Sequence, residues 1–259
     1  MTDHALHNER TPKRPDVRTS WTRARLIEPT SSGFVHVGAS SGRWALPFAL
    51  PRARRRTLLA AMTATAAALR RDSRVLRADV FRGLVRPPDG DLANSGVPAA
   101  DFDAVLLIET RTVADASSLR DDDVVARLIA ELARTAARTL VFTASNVRRM
   151  GPVDHERQGV FLFNYFAADD VDTNLYAWQY TAGWFHDETG LDNSAVLQPA
   201  DSPGPYTLVN HARWDRLGNV LPALLFKRSF RTFVLRVFAD NHVTPHPVLY
   251  RLHNPVDRE

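Results

Sequence analysis

Cysteine is absent from all 259 residues. Its absence removes disulfides, thiolate metal sites and cysteine nucleophiles together, and it suits a reducing cytoplasm. No apolar run approaches the ~18 residues that a membrane span needs. The first fifteen residues, MTDHALHNERTPKRP, lack the apolar core of a secretory signal. A cytoplasmic protein without membrane association is expected. Gly-x-Gly-x-x-Gly, the P-loop and His-Glu-x-x-His are also missing, which argues against nucleotide-dependent oxidoreductases, kinases and zinc proteases. Gly38-Ala-Ser-Ser-Gly42 superficially suggests a nucleophile loop, but no strand–turn–helix is expected around it.

Lysine is nearly absent. Only Lys13 and Lys227 stand among 33 basic residues, the rest being arginine. The charge is uneven: residues 1–150 hold 24 basic and 16 acidic side chains, residues 151–259 hold 9 and 13. A basic half is one footprint of nucleic-acid binding. Here the arginines alternate with acids and apolar positions and have no interleaved aromatics to stack on bases, so no nucleic-acid partner is expected.

What is present is a globular composition, 44% hydrophobic and 24% charged. Residues 1–33, polar at first and with Pro12 and Pro15, read as a flexible arm, in which Trp21–Ile27 alternates weakly enough to add an edge strand. Two similar passes follow. In the first, Arg43–Leu50 reads as extended, Arg52–Arg70 as an Ala- and Leu-rich helix, and Arg74–Val85 as an alternating strand. Turn signals fill Arg86–Ala100. Ala104–Thr112 is then a strand, Val124–Ala137 a helix capped by Asp121–Asp123, and Thr139–Ala144 a strand. In the second, Val160–Phe166 is a strand, Asp169–Glu188 a helix stopped by Gly190, and Asn193–Gln198 and Tyr206–Trp214 are strands. A long apolar helix over about Leu221–Asp240 and a strand at Pro247–Leu252 close the chain.

Both passes read β-α-β-β-α-β, the ferredoxin-like unit. The expected class is α+β: two tandem ferredoxin-like units, 34–150 and 151–259, whose antiparallel sheets pack face to face into an α/β barrel. On a strand, residues i and i+4 share a face. Asn210, Ala212 and Trp214 therefore point together, with His211 and Arg213 opposite. On the helix, Leu175, Trp178, Ala182 and Phe185 form the stripe toward the sheet, and Tyr176, Tyr180 and Trp184 border it. Gly183 beside them thins the helix.

With Asn210-His-Ala-Arg-Trp214 on the third strand of its unit, the second half resembles the antibiotic-biosynthesis monooxygenase family of the dimeric α/β-barrel superfamily. Many of its members carry Asn-x-x-x-Trp at this place. Asn164 and the helix LYAWQYTAGWF support the likeness, and the two-unit layout is similar to oxygenases that open or contract the B ring of angucycline-type polyketides. The resemblance implies a pocket on the helix-facing side of the sheet, with Asn210, Trp214 and Asn164 as the oxygenation site. It implies O2 as cosubstrate, no tightly bound cofactor, and reduced flavin, supplied by a flavin reductase, as a diffusible reductant where one is needed. The substrate would be an aromatic polyketide; association into a homodimer is left open. The first unit departs from the pattern: Ile108 falls where Asn210 sits and Thr112 where Trp214 sits, so that unit reads as structural and the second as the active half.

Bland readings stand beside these. Trp214 and the helix aromatics Trp178, Tyr176, Tyr180, Trp184 and Phe185 serve equally as core, or as a ring-stacking pocket for a polycyclic substrate, with small Ala212 on the strand leaving room for a flat ligand. His186, ending the helix beside Asp187 and Glu188, is either a general base or a surface cation at the helix dipole. His242 and His246 have helical metal spacing, but Pro245 and Pro247 argue against a helix there, and no metal site is expected. A haem protein, with His186, His211 or His242 as axial ligand, and a non-enzymatic binder of an aromatic metabolite are the alternatives.

Overall fold

The computed structural model describes residues 12, 21–42, 44, 53–87, 96–200 and 204–253. Eight strands form one closed antiparallel barrel. They are β1 (Gly33–Ser40), β2 (Val75–Val85), β3 (Ala104–Thr110), β4 (Arg138–Gly151), β5 (Val160–Ala168), β6 (Ser194–Pro199), β7 (Leu208–Trp214) and β8 (Val243–Leu252). Their order around the barrel is β1-β3-β2-β8-β5-β7-β6-β4. Within it β4-β1-β3-β2 and β8-β5-β7-β6 are the same four-strand arrangement used twice. The sheets do not meet only face to face, as expected from sequence. Their edges also hydrogen-bond, β2 to β8 and β4 to β6. That satisfies the edge groups that two separate sheets would expose.

The helices α1 (Ala53–Leu69), α2 (Val113–Arg120) and α3 (Asp123–Thr135) cover the first unit. Leu58, Leu59, Met62, Ala66 and Leu69 of α1 pack with Val125, Leu128 and Leu132 of α3 over Val35, Val37, Leu106 and Ile108. The helix α2 was not foreseen. Thr112, matched with Trp214 by sequence, is its N-cap: the Thr112 hydroxyl accepts from the Asp115 amide and Asp115 accepts from the Thr112 amide. Asp122 caps α3. The first strand is Gly33–Ser40 rather than Arg43–Leu50; of that stretch only Trp44 is among the described residues. Trp21–Ile27 is no strand, and its one ladder contact is a bridge from Ile27 to Arg149.

In the second unit α4 (Val171–Thr189) starts at Asp170, whose carboxylate accepts from the Thr173 amide at 2.6 Å, and ends at Gly190 in the left-handed conformation, φ 68°. The long helix expected at 221–240 is broken. It comprises α5 (Leu217–Phe226), a turn, a π-helical segment (Phe230–Leu235) and α6 (Arg236–Asp240). The turn is tied to α4 by a Lys227–Glu188 ion pair and by the Trp184 indole N–H, which donates to Ser229 at 3.0 Å. No helix among the described residues is long and apolar enough to cross a membrane.

The barrel interior is filled with rings rather than open. Phe81, Phe161, Phe163, Tyr165 and Tyr250 pack there, with Phe163 stacked on His211 at 4.3 Å and His36 on Phe142 at 4.6 Å. Both units contribute to this inner core. The outer face of β5–β7 meets α4 and the C-terminal helices in a second cluster.

Candidate active site

Strand register brings the two asparagines together. β5 and β7 pair with Asn164 opposite Asn210, Leu162 opposite Ala212 and Val160 opposite Trp214. All of these face the helices; His211 and Arg213 turn inward, as the alternation predicts. Between this face and α4 lies a cavity of about 20 Å³, space for a single water. Leu162, Asn164 and Phe166 of β5, Asn210 and Trp214 of β7, and Ser194 and Met150 border it from the sheet. Trp178, Thr181, Ala182 and Phe185 border it from α4, and Phe238 closes one end.

The polar groups of this cavity are few and uncharged. The Ser194 hydroxyl donates to Asn210 Oδ1 at 2.5 Å, which turns the Asn210 amide nitrogen away from Ser194. Asn164 is 8% exposed, and its Oδ1 has no hydrogen-bond partner. Such an unmatched buried acceptor costs ~1–3 kcal/mol, so the fold carries a polar group there that packing alone does not require. The Trp214 indole N–H donates to Thr189 Oγ1 at 3.0 Å, and the Thr189 hydroxyl donates to the Phe185 carbonyl at 2.5 Å. This pair pins the end of α4 to β7. The indole N–H of Trp214 is therefore already engaged within the fold.

The aromatic helix divides differently from its two sequence stripes. Trp178, Ala182 and Phe185 reach the cavity. Trp184 is fully buried but bonds to Ser229, away from it. Tyr176 stacks on Tyr180 at 5.8 Å, and Tyr180 leans on Phe233 at 5.6 Å; neither ring borders the cavity. Ala212 is buried beneath the helices without bordering it. His186 is half exposed and paired with Asp187 at 2.9 Å, a surface position that leaves it no route to the cavity. Gly183 has a more specific use than thinning the helix: a Cβ there would lie 1.9 Å from the Thr22 carbonyl oxygen, so glycine lets the segment 21–24 cross α4.

Ser194, Thr189, Thr181, Met150 and Phe238 were missed from sequence. Only Ser194 carried a usable signal, since it lies two residues from Val196, the register partner of Asn210. Gly38-Ala-Ser-Ser-Gly42 has the Gly-x-Ser-x-Gly spacing, centred on Ser40. Yet Ser40 ends β1, is buried, and spends its hydroxyl on the Gly42 carbonyl at 3.2 Å.

Two tandem four-strand units in one closed barrel, with helices outside, decide the architecture. The chain has the dimeric α/β-barrel fold. No family model and no curated protein matches the sequence. Among solved structures it is similar to an anthrone oxidase-like protein, with TM-score 0.65 and 11% identity over 89% of this chain and 95% of that one. A candidate monooxygenase of Fusobacterium nucleatum gives TM-score 0.52 and 6% identity over 88% and 94%. A dye-decolorizing protein of V. cholerae gives TM-score 0.52 and 11% identity over 90% of this chain and 97% of that one. At these identities the likeness is one of fold.

Proposed function

We propose that this protein is an oxygenase that holds a flat polycyclic phenol or hydroquinone between β5–β7 and α4 and oxidises it with O2. One observation carries the reading: two cross-strand amides, Asn164 and Asn210, share an otherwise apolar cavity, and one of them has an unmatched acceptor. A phenolic hydroxyl supplies the missing donor to Asn164 Oδ1. The Asn210 amide, oriented by Ser194, supplies a donor to the oxyanion that forms on deprotonation. Trp178, Phe185 and Trp214 offer faces for the rings.

The chemistry then lies mostly in the substrate. An electron-rich phenolate passes an electron to O2; the radicals recombine to a carbon hydroperoxide. At a CH2 centre, loss of water from that hydroperoxide leaves a carbonyl, so one O2 yields C=O and H2O with no outside reductant. Ring opening or contraction of an angucycline-type substrate, as in antibiotic biosynthesis, is the finer form of the proposal. There reduced flavin from a flavin reductase enters as a diffusible reductant. The protein's part is to bind the rings dry and to hold the amides in place.

Ligand pockets usually measure roughly 300–1,000 Å³, so the cavity must open to admit rings. The π-helical segment beside α4 is the natural place for that movement, since such segments recur at functional sites. A haem does not fit this lining. No histidine among the described residues borders the cavity, both ring nitrogens of His211 are engaged, and His186 and His242 lie at the surface. The test is oxygen uptake with a reduced polycyclic phenol: binding without uptake would leave a metabolite-binding protein instead.

A further inference from the structure

Inside the barrel, on the far side of β7 from the cavity, three polar side chains touch in a line. His155 lies on the linker 152–159 between the units, Asp79 on β2 and His211 on β7. His155 Nδ1 is 2.7 Å from Asp79 Oδ2, and His155 Nε2 is 2.7 Å from His211 Nε2. His211 Nδ1 is 3.0 Å from the Leu162 carbonyl oxygen. All three are buried.

These contacts fix where protons lie. A carbonyl only accepts, so His211 Nδ1 carries a proton and donates it to Leu162. One proton must also lie between the two Nε2 atoms. His211 is packed among Phe81, Phe161 and Phe163, and burial holds its basicity well below the ordinary histidine range. His155 therefore keeps that proton and donates it to His211. A carboxylate oxygen and a bare ring nitrogen cannot rest 2.7 Å apart, so a third proton lies between Asp79 and His155. Written as carboxylate and imidazolium or as acid and imidazole, the count is the same: three protons and no net charge. As separate groups at pH 7.5, one aspartate and two histidines would hold two.

We propose that Asp79, His155 and His211 form a proton-holding latch, in which one extra proton ties the inter-unit linker to both halves of the barrel. Asp79 anchors it to the first unit and His211 to the second. The surroundings favour a neutral line. From β2, Arg77 Nε lies 3.4 Å from Asp79 Oδ2 but also pairs with Glu109 at 2.6 Å. From β7, Arg213 is directed to the Gln158 carbonyl and to Asp215. From the linker, Asp154 pairs with Arg157. β5 presents Phe161 and Phe163, β8 presents Tyr250, whose hydroxyl donates to the Phe102 carbonyl, and β1 presents His36 behind Phe163. The latch is independent of the proposed oxygenase activity.

Asp79→Asn tests it with little change of shape. The asparagine amide N–H donates to His155 Nδ1, His155 Nε2–H still donates to His211, and the line survives without the extra proton. Above pH 7 the unfolded wild-type chain has released that proton and the folded chain has not, so wild-type stability falls as pH rises. Between pH 7 and 8 the wild-type unfolding constant should rise about tenfold more per pH unit than that of Asp79→Asn. Parallel profiles overturn the latch. Nitrogen-15 histidine NMR of the wild type decides the matter even if the variant does not fold. The expected result at pH 7.5 is a protonated Nε2 on His155 facing a bare Nε2 on His211, with a strongly downfield proton in the bond between His155 Nδ1 and Asp79; a bare Nε2 on His155, or no proton in the bond to Asp79, overturns the proposal.

Discussion

Asn164 and Asn210 face each other across β5 and β7, yet only Asn210 has its amide oxygen matched, by Ser194 at 2.5 Å. A buried acceptor without a donor lowers stability, so its removal should raise it. Asn164→Leu is expected to stabilise the protein by ~1–3 kcal/mol while lowering turnover, a trade typical of functional polar groups. Urea unfolding and oxygen uptake measure the two. A loss of stability in Asn164→Leu would make Asn164 a structural residue.

The barrel closes through β2–β8 and β4–β6. Cutting the chain between the units exposes two unpaired edges and half of the ring-filled interior. A fragment of residues 150–259 is therefore expected to be insoluble or molten. A monomeric fragment with a sharp thermal transition would contradict the shared core.

Acid should unfold this protein through its histidines before its carboxylates. Burial lowers His36 to about 3 and His246 to about 4, and His211 lies well below the usual value. Below pH 6.5 the unfolded chain takes up protons that these folded side chains refuse, so stability falls as pH drops from about 6.5 toward 4. Neither ring nitrogen of His246 has a hydrogen-bond partner. His246→Phe should thus flatten the fall in unfolding free energy, measured with urea, between pH 6.5 and 4.5, by up to ~1.4 kcal/mol per pH unit. An unchanged slope would show that His246 protonates freely in the fold.

Gly183→Ala should displace the segment 21–24 from α4. The new methyl would overlap the Thr22 carbonyl, and overpacking of this kind costs ~1–3 kcal/mol. Thr22 also bonds to Asp187 through its amide at 2.7 Å, so faster amide exchange at Thr22 is the local readout.

Much of the fold was legible because periodicity and caps are local. Val160–Phe166, the helix from Asp170 to Gly190, and Tyr206–Trp214 follow from alternation, an aspartate cap and a glycine stop. The element order gave the two units. The first strand was misplaced because Gly33–Ser40 is buried on both faces and shows no alternation. The break at Lys227–Ser229 depends on Glu188 and Trp184 of another helix, which no local pattern reveals. At the site, strand period placed Asn210 with Trp214. The partners Ser194 and Thr189 come from β6 and the end of α4, and the line from Asp79 through His155 to His211 spans both units; such contacts need the closed barrel.

The most direct measurement is oxygen uptake with a reduced polycyclic phenol such as an anthrone, with folding checked by thermal melts. Wild type should consume O2 and form the carbonyl product. Asn210→Ala should be slower by ~10²–10³, and Trp214→Phe, which keeps a ring face but releases Thr189 and the end of α4, should lose stability as well as turnover. Ile108→Ala and Thr112→Ala in the first unit should act through stability alone. Wild-type rates in both Asn210→Ala and Trp214→Phe would contradict the assignment of catalysis to this face of the barrel.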